Sequence, residues 1–489
     1  MDVTRRIARN TAVLTVAEVV TAVINLFFTT YVARYLGTTG FGVLSTALAF
    51  TALFGVLTDI GLNQLTTREI ARDRALASKY LGNVAVLKIF LAIITFAFIA
   101  LTVNAVHYPA ETKTIIYIVS LFLVFNAFCM TFYSMFQAHE QMEFITYGRV
   151  FNSALMLAGA VIAVGGKFGV TAFAFLYFIA SAATLLFNLA VSIRKFAKPK
   201  IEIDFTFWKE TLKEAWPFGL SGVFTGVYFW IGSVMLSFMK GDQAVGLFNA
   251  AYRLVFSLSV VPGVYFTAAF PVMAKFFVTS KDSLKIMNER SIKYMIMLAI
   301  PIAVGTSLLS DRIILLIFGP DYQGSIVALQ LLVWAVAFVF ISYGFARLFE
   351  SLNKQLIVTI VAAACAAINI GLNLALVPLL SYKGAAIATV ATEFAALAIL
   401  SLLGSRFGFG ISLVKILDFC FRTAAAGASM GILVYFLRNL NLVIVIPAGA
   451  LLYFIVLFII KGIDSDDRAM ISRALRRGAP PVSKEIKNG

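Results

Sequence analysis

The chain has 489 residues, of which 61% are hydrophobic and only 13% charged, and its mean hydropathy is +0.93. Soluble globular proteins carry about 25% charged residues, so a soluble fold is excluded: the charge cannot cover a water-facing surface. The formal net charge of +16 does not point to nucleic acid either, because the basic residues fall in short loops between apolar runs, where they orient a membrane protein.

An apolar run of about 20 residues crosses the hydrocarbon core as a helix that satisfies its own backbone. About 14 such spans are predicted in chain order, at 11–33, 40–62, 83–106, 114–136, 148–166, 170–192, 215–238, 244–270, 292–310, 325–346, 356–379, 385–404, 417–437 and 442–460. The fold class is therefore an all-α integral membrane protein. The N-terminal apolar run is too long for a signal peptide and lacks a small-residue cleavage site. With the N-terminus inside, only seven of the 40 Lys and Arg fall on the outer side: Arg34, Lys113, Lys167, Lys240, Arg312, Lys383 and Arg438. Lys88 and Arg253 lie within spans, and the other 31 are cytoplasmic. This bias predicts a multi-pass plasma-membrane protein with both termini in the cytoplasm.

An internal repeat divides the chain. "LGTTGFGVLSTA" (36–47) follows the first span and "KGDQAVGLFNAA" (240–251) follows the seventh. A shift of 204 residues places Gly37 on Gly241 and Gly42 on Gly246. A second pair, "KFGVTA" and "YKGAAI", places Gly169 on Gly384. Both halves start on the same side, so the repeat is parallel, about an axis along the membrane normal. The organisation read from this is a six-helix lobe over 1–192, a cytoplasmic linker over 193–213, a second six-helix lobe over 214–404, two additional helices over 405–461 and a basic tail over 462–489. Such a plan puts a substrate site between the halves near mid-bilayer.

Polar groups inside the spans are the site candidates. Arg253 falls about 15 Å into span 8 at 1.5 Å per residue. An Arg at that depth costs about 2.5–3.5 kcal/mol against lipid, so it faces protein or water. Asn249, Arg253 and Ser257 are spaced by four and share a helix face. The stripe reads either as an anion contact in an aqueous cavity or as a structural ion pair. In span 1, Thr11, Thr15, Glu18, Ala22, Asn25 and Thr29 share a face. Glu18 is a partner for Arg253 or Lys88, or a carrier of a coupling proton or sodium. Ser221, Thr225, Tyr228 and Gly232 share a face of span 7, although small hydroxyl residues also glue helices together. Lys88 either lines the cavity or snorkels to the cytoplasmic face. Asp59 either couples an ion or pairs with Arg68, and Glu393 in span 12 is a further coupling candidate.

The three cysteines, Cys129, Cys365 and Cys420, fall inside spans and read as buried small hydrophobes. His107 and His139 lie at span ends with no ligand cluster beside them. No phosphate-loop motif and no catalytic constellation stands out, so no enzyme activity, metal or cofactor is expected.

The stretches "YVARYLGTTGFGVLSTALAF", "TDIGLNQLTTREIAR", "FQAHEQM", "LLIFGPDY" and "NLALVPLLSYKGAAIATVATE" resemble, in order and over nearly the whole chain, the polysaccharide-transporter flippases of the multidrug/oligosaccharidyl-lipid/polysaccharide exporter superfamily. The resemblance implies a 14-helix fold with two lobes in a V. It implies alternating-access movement of a polyprenyl- or dolichyl-linked oligosaccharide from the cytoplasmic to the outer leaflet. In the related lipid II flippases a cavity Arg on span 8 faces the lipid diphosphate, and Arg253 sits on that span here. The span-1 arginines of those relatives have no match, since span 1 offers Glu18 and, at its outer end, Arg34. That departure argues against lipid II as cargo. The expected partners are the lipid-linked oligosaccharide, membrane lipids and glycan polymerase or ligase machinery, with no nucleic acid. The alternative is an ion-coupled exporter of cationic drugs from the same superfamily. A non-transporting scaffold of a glycan-assembly complex is a third class, and it would not need a buried Arg stripe.

Overall fold

The computed structural model describes residues 3–106 and 108–464, with side chains described from Val19 onward except at position 413. Thr11, Thr15, Glu18, His107 and most of the basic tail therefore lie outside the described side chains. Among the described residues there is no strand, and sixteen α-helices carry the fold.

The first helix, α1 (Val3–Gly55), contains two spans. Gly37 breaks it with φ 66° and ψ −179°, a conformation that only glycine adopts without strain. The chain continues through α2 (Leu62–Arg72), α3 (Ala77–Ala105), α4 (Ala110–Ala138), α5 (Met142–Gly165) and α6 (Val170–Lys195) to complete the first half. The second half runs through α7 (Phe205–Lys240), α8 (Asp242–Ser257), α9 (Val260–Thr279), α10 (Lys281–Leu308), α11 (Ser310–Ile317), α12 (Ser325–Ser351), α13 (Gln355–Leu380) and α14 (Tyr382–Arg406). Two further spans, α15 (Leu413–Leu437) and α16 (Leu442–Ile459), end the described chain. Thirteen stretches are long and apolar enough to cross a membrane, and the first, Val19–Thr58, holds the pair joined at Gly37. The 14 expected spans are thus all present. We call the face carrying the start of α1 and most of the basic loops the basic face, and the other the opposite face.

Span 8 differs from its expected form. The apolar run over 244–270 is not one helix: it breaks at Leu258 and Ser259 between α8 and α9. Pro262 supplies the cause. It has no N–H for the Leu258 carbonyl four residues earlier, and that carbonyl accepts from the Val261 N–H at 3.0 Å instead. The start of α7 differs too, because Phe205–Lys213 of the expected polar linker is already helical. Asp204 caps that helix by accepting from the Phe207 N–H at 2.9 Å.

The two largest cores each centre on one half but take in residues of the other: Val234 of α7 joins the first-half cluster, and Ala33 and Phe41 of α1 join the second-half cluster. One cluster includes Phe50, Ile99, Val119 and Phe173; the other includes Phe266, Met295, Val336 and Phe349. A smaller core of Met430, Val434, Tyr453 and Leu457 fixes α15 and α16 to the end of α10. Tyr453 Oη donates to the Met297 carbonyl at 2.9 Å, and Lys293 meets Asp464 at 2.8 Å. Arg422, a charge near the inner end of span 13 with no evident role in the sequence, bridges Asp418 one turn earlier and the Ile460 carbonyl beyond α16. Outside these cores many large apolar side chains are exposed, among them Phe27, Ile93, Ile162, Leu186 and Phe436. In a bilayer they face lipid, since lipid tails are as apolar as the side chains they touch.

Candidate functional site at the lobe interface

Gly37 and Gly241 have nearly the same backbone, φ 66°, ψ −179° and φ 78°, ψ 178°. The 204-residue shift is therefore visible as geometry. Each turn delivers a second glycine to the interface between the halves, and these two face one another. A Cβ on Gly42 would lie 1.8 Å from the Asp242 carbonyl oxygen, and one on Gly246 would lie 2.0 Å from the Thr38 carbonyl oxygen. Thr38 and Asp242 are themselves related by the same shift, so the contact is reciprocal, as a pseudo-twofold axis requires. The second repeat pair behaves otherwise. Gly169 has open space around it, whereas Gly384 is pressed against the Leu376 carbonyl.

Polar contacts close the same level. The Asp242 carboxylate accepts from Thr46 Oγ1 and Thr112 Oγ1, both at 2.8 Å, and so ties α8 to two helices of the first half. Tyr322 Oη donates to the Ala33 carbonyl at 2.9 Å, Tyr108 and Ser237 share a 2.7 Å hydrogen bond, and Arg34 reaches the Leu316 carbonyl. At the opposite face, then, the halves are sealed by backbone-to-backbone packing and by neutral and charged hydrogen bonds.

Arg253 lies beneath this seal. Its Cα is eleven residues into α8, about 16 Å along the helix. Helical side chains lean toward the helix N-terminus, and the guanidinium lies 5.6 Å from the centre of the Phe41 ring of α1. It also faces the Tyr177 hydroxyl of α6. The Tyr177 ring packs on Phe28 at 5.9 Å and on Phe122 at 5.6 Å. The cation thus belongs to the second half but meets an aromatic wall of the first. Among the described residues no carboxylate contacts it. Five residues further the helix breaks, and Ser259 just before α9 keeps a buried hydroxyl with no partner among the described residues. Asn25, one turn before Phe28 on α1, is exposed and accepts from Ser153 at a long 3.4 Å.

The other members of the span-8 stripe diverge from Arg253. Asn249 is 1% exposed and turns into its own half, donating to Ser233 Oγ at 3.2 Å and to the Val245 carbonyl at 3.1 Å. Ser257 Oγ donates back to the Leu254 carbonyl.

Lys88 does not snorkel. It is 1% exposed, and its ammonium meets Asp59 at 3.0 Å, Asn63 Oδ1 at 2.9 Å and the Ala127 carbonyl at 3.0 Å. Its three donors are all used. Asp59 therefore pairs with Lys88 and not with Arg68, which bonds Glu69 and Glu214 instead.

Glu393 on α14 is 5% exposed and shares a small cavity with Tyr228 of α7. Gly232, Ser233, Asn369, Thr389 and Thr392 line the same small cavity of ≈10 Å³, room for about one water. Asn369 donates to Thr392 at 3.1 Å, and Asn373 donates to Asn369 at 2.8 Å. This is a compact set of oxygen donors around one carboxylate, inside the second half and apart from Arg253. Neither the nearness of Tyr228 to Glu393 nor the break beside Arg253 follows from helical spacing, although Pro262 signals the break.

The fold matches solved transporters over most of its length. It is similar to the lipid II flippase MurJ in an inward closed conformation, with a TM-score of 0.73 at 16% identity, covering 94% of this chain and 99% of that one. It is similar to an inward-facing multidrug resistance MATE family transporter, with a TM-score of 0.64 at 17% identity, covering 81% and 98%. A transporter from Pyrococcus furiosus Vc1, described as having a binding pocket of reverse polarity, matches with a TM-score of 0.59 at 16% identity, covering 84% and 96%. The class is therefore the all-α fold shared by these solved transporters. Within it, the chain belongs to the polysaccharide biosynthesis protein family, whose model matches residues 7–277. A putative O-antigen transporter from Shigella dysenteriae is 28% identical over 234 residues, 46% of this chain and 56% of that protein.

Proposed function

We propose that the protein is a flippase that carries a lipid-linked oligosaccharide, on a polyprenyl or dolichyl phosphate or diphosphate, from the cytoplasmic to the outer leaflet. The basic face is then cytoplasmic. The observation that carries this reading is Arg253, a permanent cation at the junction of the two halves that meets an aromatic wall and a tyrosine hydroxyl and no carboxylate among the described residues. A phosphate in the membrane interior is very costly without a partner, and a fixed guanidinium in a low-dielectric site supplies one. The break between α8 and α9 adds the unpartnered Ser259 hydroxyl six residues further along the chain. Asn25 and the hydroxyl residues of α1 and α7 offer the sugars hydrogen bonds, while the prenyl chain stays in lipid. The halves rock against one another, and the Gly42–Gly246 crossing parts when the outer leaflet is served.

Glu393 fits a coupling role for a proton or sodium. Hard cations take oxygen ligands, and the Glu393 cavity presents a carboxylate, amides and hydroxyls in a space of about one water. The same small volume disfavours an organic cation at this carboxylate, since drug-sized ligands need pockets of about 300–1,000 Å³.

The test is deletion of the gene in its host, followed by extraction of prenyl-linked saccharides scored by leaflet. Accumulation facing the cytoplasm, reversed by wild type and not by Arg253→Ala of equal abundance, is the expected result. Absence of accumulation, with raised sensitivity to cationic drugs, would transfer the protein to the multidrug branch.

A further inference from the structure

At the opposite face, away from Arg253, α10 and α15 end side by side and leave a cleft of ≈330 Å³. Its walls carry Ser307, Asp311, Gln330, Tyr435 and Arg438 over a floor that includes Val434. The site is pre-built. Arg438 Nη2 donates to Asp311 Oδ2 at 2.9 Å, and the guanidinium of Arg312 holds the backbone carbonyls of Arg438 and Leu440. The Asp311 and Arg438 side chains are 37% and 46% exposed, and the Tyr435 residue is 61% exposed. Among the described residues, the Gln330 side-chain amide and the Tyr435 hydroxyl make no hydrogen bond.

These groups define a ligand chemistry. The carboxylate and guanidinium cancel, so neither a simple anion nor a simple cation is favoured. What remains is a close array of donors and acceptors beside an open aromatic face with a polar tip. Vicinal hydroxyls, which donate and accept together on a ring with an apolar face, match that array. The volume lies at the lower end for small-molecule pockets, suited to one or two sugar rings. Ile432 and Phe436, 61% and 77% exposed on the same helix, face outward beside the cleft, so a ligand here sits where an attached lipid chain can remain in the bilayer.

We propose that this cleft is a saccharide subsite that holds the sugar end of a membrane-anchored glycan once it has reached the opposite face. That the glycan is the delivered cargo rests on the flippase reading; that the cleft binds sugar does not.

The experiment is saturation-transfer NMR on the full chain in nanodiscs, with the methyl glycosides of glucose, N-acetylglucosamine and glucuronic acid as probes. At least one glycoside is expected to receive saturation. Its signal should fall at least fivefold in both Tyr435→Ala and Gln330→Leu, and addition of the host's extracted lipid-linked saccharides should compete with it. Tyr435 is exposed enough that its truncation keeps the fold, which size-exclusion profiles confirm. Transfer to none of the glycosides overturns the proposal, as does transfer to glycerophosphoglycerol or glycerophosphoethanolamine in their place. Signal that survives Tyr435→Ala and vanishes in Arg253→Ala also overturns it, because the sugar then lies between the halves. Binding without competition overturns the membrane-anchored glycan as ligand. A gene deletion that leaves leaflet distribution unchanged while cleft binding persists removes the flippase reading and keeps the subsite.

Discussion

Lys88 and Arg253 are both cations inside spans, and the structure gives them opposite settings. Lys88 is enclosed, with Asp59, Asn63 and the Ala127 carbonyl on its three protons. Breaking a buried pair by removing one partner leaves the other charge uncompensated, at about 3–5 kcal/mol. Lys88→Met is therefore expected to lower stability by about 3 kcal/mol, and Lys88→Met with Asp59→Leu to recover most of it. Thermal unfolding in detergent checks both, and a single variant as stable as wild type would show that the pair is dispensable. Arg253 has a ring and a hydroxyl as partners, so Arg253→Ala strands no buried carboxylate among the described residues and is expected to unfold within about 1 kcal/mol of wild type. The presence of both charges was legible in the sequence, because a charge in an apolar run is conspicuous. Which one is enclosed was not, because it depends on Asp59 and Asn63 arriving from a different part of the chain.

At the scale of helices, the glycine crossing is a contact between backbones. An alanine at Gly42 or Gly246 cannot be relieved by a rotamer change, since each added Cβ meets a carbonyl oxygen at about half the normal separation. Both substitutions are expected to part the halves at the opposite face. A cysteine introduced at Val245, 0% exposed, in a background lacking Cys129, Cys365 and Cys420 should then react faster with a membrane-impermeant maleimide. Equal labelling in wild type and Gly246→Ala would contradict a glycine-dependent seal. The start of α7 is expected to respond to pH. The Phe207 N–H, then Lys79, holds the Asp204 carboxyl below the ordinary carboxylate range. A depressed carboxylate stabilises the folded form above its unfolded pKa of about 3.9 and loses that contribution as pH falls through the depressed value. The fluorescence of Trp208, 8% exposed in this first turn, is expected to stay constant through neutral and mildly acidic pH and to change only below the ordinary carboxylate range. A change centred at neutral pH would contradict the assignment to Asp204.

At the scale of the molecule, the spans and the parallel repeat were legible because lipid imposes a length and an apolarity on every helix. The repeat could be read from Gly37 and Gly241 because the turns they make admit little else. Less legible were relations between distant helices, such as Asn249 turning to Ser233, Glu393 to Tyr228 and Arg253 to Tyr177. Helical periodicity gives the face a residue occupies and not the neighbour that face meets. The central claim is that the molecule moves a lipid-linked saccharide by way of the cation between its halves. The most direct measurement uses proteoliposomes loaded with the host's lipid-linked saccharide and a membrane-impermeant glycosidase outside. Without protein, only the outer-leaflet fraction, about half, should be cleaved. With wild type, cleavage is expected to go to near completion, and with Arg253→Ala, reconstituted in equal amount, to stop near the protein-free level. Wild-type cleavage that halts at the outer-leaflet fraction, under imposed proton and sodium gradients alike, would contradict the account.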